Sequence, residues 1–211
     1  MLIAIEGCDG AGKSTVAAEL AKRLNGSVIS FPNDAGVTGP MIRAYLRKEW
    51  SIARSLSELK LAKGWPKGVE HSSALAFQVL QITNRMEVMD QLQVATTRKP
   101  DIVLARYWQS AWVYGQLDGL DPDWLRGLRQ TMAQPTLNIL LDLDPIVALK
   151  RRADRDGKLP PERYEGKLEF TAKVADLYRT LWAQERKDYW FVVDANQAFE
   201  KVCGDCWKLI H

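Results

Sequence analysis

Short apolar runs and longer helix-spaced segments follow one another along the whole chain. The runs at residues 2–5, 102–105 and 137–142 are largely apolar and are bounded by glycine, proline or charged residues. Runs of this kind predict buried strands of a parallel sheet. Two further runs, at residues 26–31 and 189–193, predict two more strands, so we expect a five-stranded sheet.

Apolar residues between these strands repeat at helical spacing. The longest repeat runs from Ser72 to about Thr97 without a glycine or proline and predicts one long central helix. Other predicted helices lie at 16–24, from 39 onward, around 124–132, from 145 onward, at 168–187 and at 196–209. Because strands and helices alternate, we expect a single α/β domain over residues 1–211, with three layers in the order α/β/α. Residues 49–71 show no clear period and predict a surface excursion.

One stretch carries a complete phosphate-loop pattern. Residues 7–14 read Gly-Cys-Asp-Gly-Ala-Gly-Lys-Ser and satisfy G-x-x-x-x-G-K-[ST]. Between a strand and a helix, such glycines let backbone N–H groups turn around an anion at a helix N-terminus. We therefore expect ATP here, with Lys13 reaching its β- and γ-phosphates and Ser14 ligating Mg²⁺. The candidate ATP-binding residues are Gly7, Gly10, Ala11, Gly12, Lys13, Ser14 and Thr15.

The composition argues against several classes of function. Lys and Arg total 29 and Asp and Glu total 26, so the formal net charge of +3 is too small for a protein that coats nucleic acid or binds a membrane surface. No apolar run approaches the length of a membrane span, and the chain enters its first strand without a signal-like segment. We expect a cytoplasmic protein whose partner is a small nucleotide rather than nucleic acid or membrane.

A basic segment at residues 151–165 indicates phosphoryl transfer. A phosphate loop by itself indicates only the P-loop NTPase superclass of ATPases, GTPases and kinases. The chain lacks the N-K-x-D signal with which GTP-binding proteins read their base. Arg151, Arg152 and Arg155 precede Gly157 and two prolines, an arrangement expected of a mobile lid that brings positive charge to the transferring phosphate.

Several segments resemble the thymidylate kinase family, whose members phosphorylate dTMP with ATP. The resemblance covers most of the chain and is carried by Ile5–Thr15, Phe31–Pro32, Gly39–Leu46, Asn84–Arg85, Arg106–Tyr107, Ser110–Tyr114 and Glu162–Glu165. It implies a nucleoside-monophosphate kinase fold and activity. Because members are commonly homodimers through their central helices, it also implies a homodimer.

The resemblance assigns roles to individual residues. It implies that Asp9 approaches the sugar 3′-hydroxyl, that Arg85 reads the thymine edge, that Arg106 holds the acceptor phosphate and that Tyr114 crowds a ribose 2′-hydroxyl. Gly10 stands where one subgroup carries a catalytic arginine, so the lid arginines are expected to supply that charge. The catalytic candidates are Asp9, Lys13, Arg106, Arg151, Arg152 and Arg155. The substrate-binding candidates are Asp9, Phe31, Asp34, Gln78, Gln81, Arg85, Arg106, Tyr107, Ser110 and Tyr114.

Three positions depart from the family pattern. Ala105 stands where the family has an aspartate before the Arg-Tyr pair, so a carboxylate that helps to organise Mg²⁺ is missing there. Asp34 stands where the family has an arginine for the acceptor phosphate, and a carboxylate at that place would repel a phosphate. Gln81 stands where the family has a phenylalanine that stacks on the base.

These departures leave two alternatives open. Gln78 and Arg85 also resemble the base-recognition helix of deoxynucleoside kinases, in which Asp34 would be the general base for a 5′-hydroxyl. A nucleotide-binding protein with weak catalysis would likewise explain Ala105. The match at residues 162–165, the Arg106–Tyr107 pair and the context of Pro32 favour the monophosphate kinase.

Overall fold

Five parallel strands form one sheet at the centre of the molecule. The computed structural model describes residues 1–49, 69–157, 163–164, 167–185 and 189–211. The strands are β1 (Leu2–Glu6), β2 (Ser27–Ser30), β3 (Ile102–Ala105), β4 (Leu137–Asp142) and β5 (Trp190–Asp194). They are all parallel and lie in the order β2-β3-β1-β4-β5. The predicted α/β fold of the P-loop NTPase type is therefore confirmed.

Nine α-helices lie among the described residues and surround this sheet. They are α1 (Lys13–Leu24), α2 (Gly39–Leu46), α3 (Val69–Met86), α4 (Met89–Thr97), α5 (Trp108–Leu117), α6 (Pro122–Gly127), α7 (Pro145–Asp156), α8 (Leu168–Gln184) and α9 (Phe199–Lys208), and a short 3₁₀ helix (Leu128–Thr131) follows α6. In the part of the chain that the structure describes, no helix is both long and apolar enough to cross a bilayer.

The sheet register places two loops side by side at its carboxyl edge. Ile5 on β1 pairs with Ala105 on β3, so the segments that follow both strands leave the sheet at the same level. The N–H of Phe31 donates to the Ala105 carbonyl at 3.0 Å, which brings the end of β2 to the same place. Ligands of open parallel sheets bind at this edge.

The prediction of one unbroken central helix is wrong, because α3 ends at Met86 and α4 begins at Met89. At the break, the Glu87 carboxylate accepts hydrogen bonds from the N–H and the hydroxyl of Thr38, both at 2.9 Å. The apolar period continues through the break, since both helices pack on the same core, and the sequence therefore gives no sign of it.

Helix α5 is absent from the sequence-based prediction. Every residue from Trp108 to Gly115 is buried. A helix that is covered on all sides shows no polar face, so the periodicity that reveals surface helices is missing.

The segment predicted as a lid is partly helical. Residues 151–156 continue α7, which begins with Pro145 in its first turn, is capped by the Asp144 carboxylate and ends before Gly157, with φ 59°. Nothing inside that stretch breaks a helix, so Arg151, Arg152 and Arg155 lie on α7 rather than on a loop. Residues 158–162 and 165 of the predicted lid lie outside the described residues, as do residues 50–68 of the predicted surface excursion.

Candidate active site

A cleft of about 1130 Å³ lies over the carboxyl ends of β1, β2 and β3. The phosphate loop and the start of α1 form one end, and α2, α3 and α5 form the other. Predicted site residues that line it are Asp9, Gly10, Gly12, Lys13, Ser14, Thr15, Phe31, Gln78, Gln81, Arg85, Arg106, Ser110, Tyr114, Arg151 and Arg155.

The phosphate loop has a backbone that only glycine adopts easily. Gly10 and Gly12 both have φ of 86°, in the region that disfavours side chains. At Gly10, an added Cβ would lie 2.6 Å from the Ala148 carbonyl oxygen of α7. At Gly7, with φ 143°, it would lie 2.6 Å from the Leu141 carbonyl oxygen. The loop is therefore fixed closely against β4 and α7.

The non-glycine residues of the loop differ in burial. Ala11 is buried, and its N–H donates to the Cys8 carbonyl at 3.2 Å, which closes the turn. Ser14 and Thr15 are exposed in the first turn of α1 and line the cleft. Ser14 thus presents a hydroxyl beside the place expected for the phosphates, and hydroxyl and phosphate oxygens are ligands that Mg²⁺ accepts.

Lys13 is held inside the loop. Its Nζ donates to the Cys8 carbonyl at 2.7 Å and lies 3.8 Å from the Asp9 carboxylate. Burial, and to a smaller extent the charge of Arg106, lowers the pKa of Lys13 to about 8. The ammonium is therefore poorly compensated by the protein's own groups, and an anion would stabilise it.

Arg106 connects the loop to the rest of the cleft. Its Nη2 contacts the Asp9 carboxylate, and its guanidinium lies 5.7 Å from the centre of the Tyr114 ring. Nη1 is buried without a partner among the described residues. Burial alone would raise the pKa of Asp9, but the neighbouring cations, first Arg106 and then Lys13, hold it below its usual value. Both groups are therefore charged at neutral pH.

The backbone at Arg106 is itself unusual. Its φ is 70°, in the left-handed region, although it is not glycine. The Arg106 N–H donates to the Ile5 carbonyl at 3.0 Å, which ties this turn to β1. The turn directs the side chain back over the phosphate loop.

A fully buried carboxylate, Glu6, fixes the turn after β3, and the sequence analysis does not include it. It accepts hydrogen bonds from the Tyr107 N–H at 2.6 Å, from the Ser110 hydroxyl at 2.8 Å and from the Tyr178 hydroxyl at 2.9 Å. An acid at the end of a buried strand, where an apolar residue would be expected, is the signal that could have revealed it.

The structure brings together the base-reading candidates on α3. Gln78, Gln81 and Arg85 are spaced by three and four residues and share one face of the helix. The Nη1 of Arg85 donates to both the carbonyl and the side-chain oxygen of Gln81, and its Nη2 donates to the Tyr107 carbonyl at 2.8 Å. The guanidinium also lies 4.9 Å from the centre of the Phe31 ring. Burial lowers the pKa of Arg85 to about 10, so it remains charged at neutral pH.

Two predicted substrate-binding residues lie elsewhere. Asp34 does not line the cleft: its side chain is 62% exposed, and both carboxylate oxygens accept from Arg43, at 2.7 and 2.8 Å. The Tyr107 ring is buried in the core beside Phe31, 5.8 Å between ring centres, and only its carbonyl serves the site by binding Arg85. Asp34 is drawn outward because α2 places Arg43 within reach.

The cleft also has members that sequence reasoning missed. Arg43 lines it together with Arg47 and Lys48, at the end of α2. Arg43 follows the buried Ile42 in an amphipathic helix, so the period alone assigns it to solvent. Tyr164 also lines the cleft, and its hydroxyl donates a hydrogen bond to the Asp118 carboxylate.

The three lid arginines divide between two pockets. Arg151 and Arg155 line the main cleft, whereas Arg152 lines a smaller pocket beside Asp9 and Tyr114. Arg155 and Arg152 both help to hold the pKa of Asp9 low, which places their charges near the phosphate loop. Helix α7 thus delivers positive charge to the donor end of the cleft.

Comparisons with known proteins agree on one family. The model of the family described as "Thymidylate kinase" matches residues 5–205. A thymidylate kinase from Arabidopsis thaliana is 31% identical over 95% of this chain and 67% of its own length. A probable thymidylate kinase from Archaeoglobus fulgidus is 32% identical over 100% of this chain and 94% of its own. The solved structure of thymidylate kinase from Candida albicans superposes with a TM-score of 0.71 at 25% identity, covering 99% of this chain and 90% of that one. The chain therefore belongs to the thymidylate kinase family, a family of nucleoside-monophosphate kinases.

Proposed function

We propose that this protein transfers the γ-phosphoryl group of ATP to dTMP, giving ADP and dTDP. The observation that carries the proposal is the Arg106 guanidinium, which binds the phosphate loop through Asp9 and keeps its Nη1 buried and unpartnered at the cleft. A buried donor without an acceptor costs about 1–3 kcal/mol. An acceptor phosphate at Nη1 would recover that cost beside the γ-phosphate.

At the donor end, the loop would hold the triphosphate. Loop backbone N–H groups other than that of Ala11, which donates to Cys8, would bind its oxygens together with the Lys13 ammonium, and Ser14 would hold Mg²⁺. When bound, Mg²⁺ supplies positive charge that neutralises the phosphates during transfer. Arg151 and Arg155 add charge from α7, at the side where the leaving ADP gains its negative charge.

At the acceptor end, Arg106 would hold the phosphate of dTMP, with Arg43 as a second cation from α2. Asp9 orients Arg106 and approaches the sugar, while Phe31 and the α3 face surround the base. Tyr114, which is nearly buried against Arg106, limits the space beside the sugar. Positioning of this kind, rather than covalent chemistry, is what phosphoryl transfer requires.

The ion pairs made by the carboxylates of the cleft favour a monophosphate over a nucleoside as acceptor. Among the described cleft residues the carboxylates are Asp9, bound to Arg106, and Glu49, bound to Arg47 at 2.9 Å. A nucleoside hydroxyl needs a base to remove its proton, whereas a phosphate oxygen is already an anion. Asp34, the base of the nucleoside alternative, is engaged with Arg43 outside the cleft.

A product assay with purified protein tests the proposal. With ATP and Mg²⁺, we expect dTMP to yield dTDP and one equivalent of ADP, whereas thymidine yields no product. Phosphorylation of thymidine but not of dTMP would contradict the proposal and support the nucleoside kinase. ATP binding with no turnover of either acceptor would support the alternative of a nucleotide-binding protein.

Two accompanying predictions concern partners. The family resemblance implies a homodimer, and light scattering coupled to gel filtration tests this by giving twice the chain mass of 23.9 kDa. The small net charge implies that single-stranded DNA neither binds nor stimulates ADP release.

A further inference from the structure

Gln78 is the polar side chain of α3 that the protein leaves without a partner. It is fully buried and lines the cleft, yet neither its Nε2 nor its Oε1 has a hydrogen-bond partner among the described residues. A buried amide without hydrogen bonds costs the folded protein stability. A ligand with a complementary edge would remove that cost.

Most hydrogen-bonding groups of the neighbouring Arg85 and Gln81 are committed to the protein, although the Nε of Arg85 is buried without a partner among the described residues. The Nη1 of Arg85 gives both its hydrogen bonds to Gln81, and Nη2 gives one to the Tyr107 carbonyl. The side-chain oxygen of Gln81 is occupied by the same guanidinium. Arg85 is therefore fixed by protein acceptors, and Gln78 is the side chain on this face with both a free donor and a free acceptor.

The ring of Phe77, next to Gln78, is also occupied. It stacks on the Tyr45 ring with centres 4.0 Å apart and planes 13° apart. Both rings are buried, so this face of α3 is held in place behind the amide. The amide is consequently presented to the cleft from a rigid support, as a specificity group must be.

An amide differs from a guanidinium in what it can recognise. A guanidinium only donates hydrogen bonds, whereas an amide has an NH₂ on one side and an oxygen on the other. A half-turn of the last side-chain torsion exchanges the two. Thymine presents an accepting O4 beside a donating N3–H, and cytosine presents a donating N4 amine beside an accepting N3. The same glutamine can therefore match either base in one of its two orientations.

We propose that Gln78 is the base-reading residue and that its two orientations let the enzyme phosphorylate dCMP as well as dTMP. The inference rests on the proposed monophosphate kinase function. In the added reaction, a phosphate oxygen of dCMP forms a bond to the γ-phosphorus of ATP while the bond from that phosphorus to the β–γ bridging oxygen breaks. The electron pair of the broken bond leaves with ADP, and the products are dCDP and ADP.

Steady-state kinetics with both acceptors at saturating ATP and Mg²⁺ test the inference. For the unaltered protein we expect kcat/KM for dCMP to lie within about tenfold of that for dTMP, because each base gains two hydrogen bonds. Turnover of dTMP with dCMP slower by a thousandfold or more would overturn the inference and leave the proposed function intact. Turnover of neither would instead contradict the proposed function.

Variants at Gln78 separate base reading from a structural role. Gln78→Leu should lower kcat/KM at least tenfold for both acceptors. Gln78→Glu offers acceptors only, whereas each base presents one donor and one acceptor, so this variant should also lower kcat/KM at least tenfold for both acceptors. Gln93→Leu, an exposed glutamine on α4, is the matched control and should change neither value.

Thermal unfolding of the ligand-free proteins provides the second measurement. Removing an unsatisfied buried amide should leave the Tm of Gln78→Leu unchanged or higher. A marked fall in Tm for Gln78→Leu, or an unchanged kcat/KM for both acceptors in Gln78→Glu, would show that Gln78 does not read the base and would overturn the inference.

Discussion

The two ends of the cleft are built in different ways. The donor end is made of backbone: Gly7, Gly10 and Gly12 all have positive φ, and Cβ atoms at Gly7 and Gly10 would collide with carbonyl oxygens. The acceptor end is made of side chains on α3, whose hydrogen bonds reach as far as Tyr107, in the turn between β3 and α5. A site made of backbone N–H groups binds any triphosphate and tolerates few substitutions. A pocket made of side chains can change its ligand through single substitutions.

The strongest test of the donor end is removal of its cation. Lys13→Ala should lower kcat at least roughly a thousandfold, because several kcal/mol of transition-state stabilisation are lost. Rates of dTDP formation measure this. Lys22→Ala, an exposed lysine on the same helix, is the control and should retain full activity. Near-normal turnover of Lys13→Ala would contradict the role given to the loop.

The second-largest effect is expected at Arg106, which lies between the two ends of the cleft. Arg106→Gln keeps a long polar side chain but removes the charge, and we expect a loss of about a hundredfold in kcat/KM for dTMP, in line with about 1.5–3 kcal/mol for a charged hydrogen bond. The affinity for ATP, measured by titration, should change much less. Arg98→Gln, at an exposed arginine, controls for the loss of charge. An equal loss for both ligands would mean that Arg106 supports the loop rather than the acceptor.

The affinity of the donor end for ATP should also depend on pH. Since the pKa of Lys13 in the free protein is about 8, the ammonium is lost as pH rises through that value, and ATP affinity should fall by about tenfold per pH unit above it. Binding titrations between about pH 7 and 9.5 measure this. In Lys13→Met, binding should be weak and flat over the same range. The same slope in that variant would assign the titration to another group.

At the end of β3, Ala105→Asp restores the carboxylate that the family pattern contains. Ala105 lines the cleft beside the phosphate loop, so a carboxylate there can help to organise Mg²⁺. We expect a gain of up to about tenfold in kcat at limiting Mg²⁺. Ala105→Asn, of equal size but uncharged, should give no gain. An unchanged rate in Ala105→Asp would mean that Asp9 already provides this function.

The smallest effect is expected at Asp34. Its ion pair with Arg43 is exposed, and such pairs contribute about 0–1 kcal/mol. Asp34→Asn should therefore alter dTMP turnover less than about fivefold, as should the exposed control Asp90→Asn. A loss of a hundredfold or more confined to Asp34→Asn would restore it as a catalytic base.

The contrast between the two ends also explains what the sequence revealed. The five strands, the phosphate loop and the family were predicted correctly, because each depends on local patterns such as apolar runs and glycine spacing. The break between α3 and α4 depends on a distant contact from Glu87 to Thr38, which no local pattern contains.

The placement of acceptor-end side chains was harder to predict for the same reason. Asp34 was expected to face the substrate, but it binds Arg43, nine residues away, on the outside of the cleft. Tyr107 was expected to touch substrate, but its ring packs in the core. Whether a side chain points into a cleft or away from it is decided by partners that fold next to it, and a single sequence does not identify them.

The buried carboxylate of Glu6 has a consequence for how this enzyme can be redesigned. Its hydrogen bonds tie the turn after β3 to Tyr178 on α8, and in the described structure none of them reaches α3. The turn that carries Arg106 is thereby anchored to β1 and α8, and it meets α3 through the hydrogen bond from Arg85 to the Tyr107 carbonyl. Substitutions on α3 that retain Arg85 should therefore change the nucleobase preference without changing the catalytic rate.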